Sequence, residues 1–252
     1  MKITTVKTHK IVKKDTDLFK ILNQYVLSMK ENSILAITSK IVSICEGRLI
    51  SIDKINKEKL IKQEADFFIP AEENKYGMTL TIKNGVLLPT AGIDESNANG
   101  FYILWPKNPQ KTANQIRTYL QKRFNLKKVG VLITDSKTTP LRFGTTGINI
   151  AYSGFAPLNN YIGKPDIFGK KMRVTKSNVA DGLAAAAVLA MGEGKEQTPI
   201  AILEDLPNIK FINQNPTQKE LNEFTIKMAD DIYASILEKA NWRKGGGGKR
   251  KI

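Results

Sequence analysis

The run Val129-Gly130-Val131-Leu132-Ile133-Thr134-Asp135-Ser136 decides how this chain is to be read. Apolar residues follow one another without alternation from Val129 to Thr134, the pattern of a short strand covered on both faces. Asp135 emerges at its C-terminal end, where open sheets flanked by helices place their ligands. A second strand of the same character, Ile34 to Thr38, is followed by Ile41 to Ile44, which reads as its apolar continuation before the Cys45-Glu46-Gly47-Arg48 turn.

Outward from these strands the pattern is mixed. Leu18, Ile21, Leu22, Tyr25, Val26 and Met29 share one helical face, with Asp15 or Thr16 as cap. Thr79–Ile82 and Val86–Pro89 flank Asn84-Gly85, a two-residue hairpin signal. Phe101 to Trp105 reads as a strand, and Thr112 to Phe124 as a helix with Ala113, Ile116 and Leu120 inward. Ile148 to Ser153 is a strand, and the Gly- and Pro-rich stretch up to Val174 is expected on the surface.

Asn178 to Met191 predicts a helix ended by Gly192, its four alanines from Ala184 to Ala187 implying close packing on another backbone. Pro199 to Leu203 is a strand. Thr217 and Glu220 form a capping box that opens a helix along Leu221, Phe224, Met228 and Ile232. The fold class is therefore α+β with mixed and antiparallel sheets. One body over residues 1–242 is expected, then a flexible basic tail over residues 243–252 in which Gly245 to Gly248 break all structure.

The chain has 252 residues, of which 41% are hydrophobic, enough to bury a sizeable core. Its formal charge is +15, and Arg243, Lys244, Lys249, Arg250 and Lys251 carry five of those charges. The excess favours anionic partners. Cys45 is the only cysteine and His9 the only histidine. Disulfide frameworks, thiolate zinc sites and Ser-His-Asp chemistry are thereby excluded within one chain. Cys45 reads as a plain buried thiol. No apolar run reaches the length of a bilayer span, and the N-terminus lacks a signal peptide's apolar segment, so a cytoplasmic location is expected and a membrane partner is not.

Three signatures carry chemistry: Thr90-Ala91-Gly92-Ile93-Asp94-Glu95-Ser96-Asn97, the strand that ends at Asp135-Ser136, and Met191-Gly192-Glu193-Gly194. Each puts a carboxylate at an element's end beside Gly, Ser or Thr, where acids and backbone amides can jointly hold a divalent cation and phosphate oxygens. Asp94, Asp135 and Glu193 are the candidate metal ligands. Ser136 adds a hydroxyl suited to a second metal, and the Gly192-Glu193-Gly194 turn opens backbone amides to phosphate.

The spellings also resemble a known family, the gamma-glutamyl ligases of the deazaflavin coenzyme F-420. The likeness lies in Ser39-Lys40-Ile41-Val42-Ser43 with Glu46-Gly47-Arg48, and in Ala91-Gly92-Ile93-Asp94 with Ser96-Asn97. It continues through Val129 to Asp135, Gly144 with Gly147, Tyr161-Ile162-Gly163, Asp166, Gly169, Val179-Ala180-Asp181 and Met191-Gly192-Glu193-Gly194, covering roughly residues 34 to 203 in unbroken order.

The resemblance implies a two-lobed fold in an intertwined homodimer, and a ligase dependent on GTP (or ATP) and on Mg2+ or Mn2+. Such an enzyme joins L-glutamate to a carboxylate-bearing acceptor through an acyl phosphate. Carried over, Asp94 and Asp135 would share one metal, and Ser136 and Glu193 would hold a second. Ser39, Lys40 and Asn97 would meet the nucleotide, with Met191, Gly192, Gly194, Lys195, Glu196, Gln197 and Thr198 lining it. Arg142 is the candidate catalytic cation, stabilising an anionic substrate or the transferring group.

Departures from the family lie at Ile44, where a lysine is usual, at Thr139 and Phe143, where arginine is frequent, and around Thr8, His9, Lys10 and Ile11, a poor match to an early loop. They suggest the same core chemistry on a different acceptor, or a lost activity. A metal-dependent nucleotide hydrolase would use the same acids without an amine acceptor. A basic nucleic-acid binder would use the charge, but no base-stacking aromatic motif accompanies it.

Overall fold

A computed structural model describes residues 1–248. The chain opens with β1 (Lys2–Val6), α1 (Leu18–Tyr25), β2 (Ser33–Thr38), α2 (Ser39–Cys45), β3 (Leu49–Ser51), α3 (Lys57–Glu64) and β4 (Phe67–Ile69). It continues through β5 (Leu80–Lys83), β6 (Val86–Pro89), β7 (Phe101–Ile103), α4 (Pro109–Phe124), β8 (Val129–Thr138), β9 (Thr145–Ser153), β10 (Leu158–Asn160) and β11 (Lys176–Asn178). It closes with α5 (Val179–Met191), β12 (Ile200–Glu204), α6 (Gln218–Phe224), α7 (Ala234–Leu237) and β13 (Arg243–Lys244).

The main sheet has the order β1-β12-β2-β8-β9. Only β2 and β8 run parallel, in register from Ser33 opposite Val129 to Thr38 opposite Thr134. The fold is α+β with mixed and antiparallel sheets. Both faces of the main sheet are covered. Leu35, Ile37, Val131 and Ile133 pack with α1, α2 and α4, while Ile34, Ala36 and Leu132 pack with α5. Since successive strand side chains point to opposite faces, a strand buried on both must be apolar throughout, which is what Val129 to Thr134 displays.

The alanines of α5 do seat it on a backbone. A Cβ on Gly147 of β9 would lie 2.5 Å from the Ala184 carbonyl oxygen. A four-stranded sheet, β13-β4-β5-β6, has its own small core of Leu60, Ile61, Ala65, Phe68, Ala91, Ile93, Tyr102 and Leu104. Its β5–β6 hairpin turns through Asn84 (φ 50°) and Gly85 (φ 78°), the left-handed pair that a two-residue turn of this kind requires.

Four expectations are corrected. Ile41 to Ile44 do not continue β2: from Ser39 the chain coils into α2, burying Ile41, Val42, Ile44 and Cys45 in the main core, so tertiary burial overrides their β-propensity. The cap of α1 is Asp17, whose carboxylate accepts from the Lys20 amide at 3.0 Å; Asp15 instead accepts from the Val12 amide. The capping box at Thr217 and Glu220 forms, but α6 stops at Phe224, because Thr225 is extended and Ile232 is left on the surface.

The fourth correction concerns the tail. Arg243 and Lys244 pair with β4, and the amides of Gly245, Gly246 and Gly247 donate to the carbonyls of Asp66, Lys62 and Ala65, each at 2.9 Å. A Cβ on Gly245 would lie 2.1 Å from the Ala65 oxygen, and one on Gly247 would lie 2.2 Å from the Glu64 oxygen. The glycines expected to break structure thus let the chain press against another stretch of backbone. Lys249, Arg250 and Lys251 lie outside the described residues.

Candidate active site

The parallel pairing of β2 and β8 brings two chain exits side by side: Thr38 leads into Ser39 and Lys40 of α2, and Thr134 into Asp135 and Ser136. The β6 end delivers Asp94 to the same place, and the loop after α5 delivers Glu193. Together they line a cleft of about 800 Å³, within the size range of small-molecule sites. Ser39, Lys40, Asp94, Asn97, Asp135, Ser136, and Met191 through Thr198 all face it.

Asp94 follows a sharp turn in which Thr90, Ala91 and Gly92 all take positive φ. One of its oxygens accepts from the Ser96 amide at 2.7 Å and the Ser96 hydroxyl at 2.8 Å; the other meets the Lys40 ammonium at 2.6 Å. Burial alone would raise its pKa, but Lys40 and the Ser96 donors outweigh that and hold the carboxyl below the usual carboxylate range.

Asp135 accepts from the Ser136 amide at 2.9 Å and from the Trp105 indole N–H. Removal from water nevertheless pushes its carboxyl up to about 6, with the Asp94 charge adding to the effect. Ser136 donates its hydroxyl to Glu193 at 2.5 Å, and the Asn97 amide donates to the Gly194 carbonyl at 3.0 Å. These bonds tie three separate chain segments into one wall.

The loop from Gly192 to Thr198 is compact. Thr198 donates to the Met191 carbonyl at 2.6 Å, and the Gly194 amide is taken by the Glu196 carboxylate at 2.8 Å. A carboxylate of the protein therefore sits where an anion would meet that amide.

The donor set is entirely oxygen. Among the described residues no three His, Cys, Asp or Glu side chains form a ready-made cage, and magnesium does not require one, since it usually takes one or two carboxylates and completes its shell with water and substrate phosphate. Asp94 and Asp135, which line the same cleft, fit such a cation in the chemistry of their oxygens.

Arg142 is elsewhere. It lies at the exposed tip of the β8–β9 hairpin between Leu141 and Phe143, each 99% exposed, outside the cleft lining. Ile44 is on the cleft wall, buried. Two contributors were not foreseen as site residues. Residues 8–12 line the cleft, held where the Val12 amide and His9 ring both reach Asp15. Trp105, read only as the end of a strand, supplies a donor to Asp135. Its signal was a bulky residue with one N–H, placed just before Pro106.

A cleft lined by acids, a lysine and backbone turns, on an α+β frame, is the candidate active site of this chain. Residues 6–205 match the family model described as F420-0:Gamma-glutamyl ligase, and the chain belongs to that family. By that membership it is an amide-forming ligase of the acid–amino-acid type. It is 33% identical over 231 residues to a "Coenzyme F420:L-glutamate ligase" of Methanococcus maripaludis strain C6, covering 86% of this chain and 90% of the relative. A protein of the same name from Methanopyrus kandleri is 30% identical, covering 82% and 87%. A third, from Methanocaldococcus jannaschii, is 32% identical, covering 78% and 84%.

Proposed function

We propose that the protein is an NTP-dependent, divalent-metal-dependent ligase that joins L-glutamate to a carboxylate acceptor through an acyl phosphate, with GTP as the nucleotide. The carrying observation is the convergence of Asp94, Asp135, Ser136 and Glu193 in one cleft with Lys40 and the 192–198 loop. The names of the relatives support glutamate as the amine.

In this reading Lys40 and Asn97 orient the triphosphate. Bound Mg2+ or Mn2+ would be held by Asp94, Asp135, Ser136 and Glu193 and would neutralise phosphate charge. The acceptor carboxylate attacks the γ-phosphorus, and the bond to the β–γ bridging oxygen breaks to release the diphosphate. The amine of glutamate then attacks the acyl carbon, and phosphate leaves as the amide forms. Closing the cleft against water matters here, because water would divert the acyl phosphate.

The acceptor is proposed to differ from the coenzyme named for the relatives. Ile44 presents an apolar surface to the cleft and offers no charge to a phosphate. A homodimer is proposed as the working unit. Leu141, Phe143, Ile167 and Phe168 are each at least 87% exposed on the hairpin tip and the excursion after β10, an apolar display that a second copy would cover. In that assembly Arg142 would serve the partner's cleft. No helix among the described residues is long and apolar enough to cross a membrane, and a cytoplasmic location is part of the proposed reading.

The test is a turnover assay with GTP or ATP, Mg2+ or Mn2+, glutamate and candidate acceptors, with mass spectrometry of the products. A glutamylated product is expected with an acceptor other than the coenzyme precursor. Efficient glutamylation of that precursor overturns the altered acceptor. Diphosphate and phosphate without any amide would make the protein a hydrolase.

A further inference from the structure

Trp105 is buried at 2% exposure, and its ring lies against Gly92, where a Cβ would come within 2.1 Å of the indole nitrogen. Gly92 also has φ +68°, so both its backbone angle and the ring call for glycine. A buried indole N–H needs an acceptor, and this one is given to Asp135 Oδ2. Since Oδ1 takes the Ser136 amide, the carboxylate is held at both oxygens, and its remaining lone pairs are left to the cleft.

The ring is itself anchored from outside the cleft. Arg48 donates through Nε to the Trp105 carbonyl at 3.0 Å and through Nη2 to both oxygens of Glu64 at 3.0 and 2.9 Å. Lys83, 7% exposed, donates to Glu64 at 2.6 Å and stands 5.8 Å from the centre of the indole ring. In this Arg48–Glu64–Lys83 group Lys83 is buried and Arg48 and Glu64 are half-buried. It meets Trp105 through Arg48 Nε and through Lys83 beside the ring, and the Arg48 carbonyl also accepts from the amide of Leu104, a residue of the cleft lining, at 3.1 Å.

We propose that Trp105 is a positioning residue: its indole N–H fixes the Asp135 carboxylate in the cleft, and the Arg48–Glu64–Lys83 group fixes Trp105. The inference rests on the reading of Asp135 as a site residue and names what sets its orientation. An indole donor is suited to this because it is rigid, neutral and unable to accept the proton of a carboxyl group. It holds Asp135 without the charge that Lys40 brings to Asp94.

The chain has two tryptophans, so Trp242→Phe leaves Trp105 as the only indole. In 15N-tryptophan-labelled Trp242→Phe protein, one indole N–H resonance is expected. It should move when Asp135→Asn is added and broaden with sub-stoichiometric Mn2+. Trp105→Phe, which keeps a ring but deletes the donor, should weaken magnesium-nucleotide binding roughly tenfold to a hundredfold, as loss of a hydrogen bond to a charged group implies. It should lower kcat more than it raises KM for the acceptor.

An indole resonance indifferent to Asp135→Asn overturns the proposal, as does a folded Trp105→Phe that binds and turns over like the parent. If the resonance responds to Asp135→Asn but not to Mn2+, Trp105 still positions Asp135, and it is the metal reading of the site that falls.

Discussion

The Lys40 ammonium stands 2.6 Å from the Asp94 carboxylate, linking the first turn of α2 to the turn that follows β6. The same ammonium reaches the Ser96 carbonyl at 3.1 Å. One cation thus balances the acid that the proposed metal would share.

Lys40→Met should therefore weaken binding of the magnesium-nucleotide by roughly tenfold to a hundredfold. Titration calorimetry with a non-hydrolysable GTP analogue measures it. Unchanged affinity would show that Lys40 serves only Asp94.

Asp135→Asn deletes a ligand charge at nearly constant shape. Metal-dependent nucleotide binding should be lost while circular dichroism and the unfolding midpoint stay close to the parent's. Turnover that survives the substitution removes Asp135 from the proposed metal site.

Truncation after Trp242 should destabilise the protein, because it strips β13 from β4 and removes the three amide donors of Gly245, Gly246 and Gly247. At about 0.5 to 1.5 kcal/mol for each hydrogen bond, less the entropy regained by the freed chain, the loss is of order 1 to 3 kcal/mol. Gly247→Val should do similar damage by collision with the Glu64 carbonyl. Urea unfolding curves that match the parent's would show that the segment does not dock in solution.

Cys45 should resist alkylation. Burial, with the nearby charges of Asp15, Asp17 and Glu46, pushes its thiol up to about 12 from an ordinary 9.0, so on the order of one molecule in ten thousand carries a thiolate at pH 8. Iodoacetamide labelling should be slow until denaturant is added. The same shift gives a sign to stability: between pH 9 and 12 the unfolded chain releases this proton while the folded one keeps it, so this group's contribution falls as pH rises through that window. Rapid labelling of the native protein would contradict the burial.

What the sequence disclosed and what it withheld divide along physical lines. Val129 to Thr134 was legible because burial on both faces leaves no polar position to confuse the period, and the β5–β6 turn because Asn84-Gly85 answers a steric demand within two residues. The segment after Thr38 was misread because Ile41, Val42, Ile44 and Cys45 suit either a strand or a short buried helix, and only the core they enter decides between the two. The gathering of Asp94, Asp135, Ser136 and Glu193 followed from shared spelling. The roles of Trp105 and residues 8–12 did not, since a donor's partner 30 positions away leaves no local trace. The glycines after Lys244 were read through their freedom, whereas here they serve through their lack of bulk.

The place of β12 in the main sheet has a consequence for the chain during its synthesis. It lies between β1 and β2, yet its residues come about 160 positions after β2 ends, an interval on the order of ten seconds at ordinary rates of translation. For that time the apolar edge of Ser33 to Thr38 has no neighbour on that side, and open edges of this kind recruit strands from other chains. The strand that fills the gap also follows directly on the 192–198 loop, so one late event seals the edge and completes the cleft. A nascent chain stalled short of Ile200 would be both prone to aggregate and without a completed cleft.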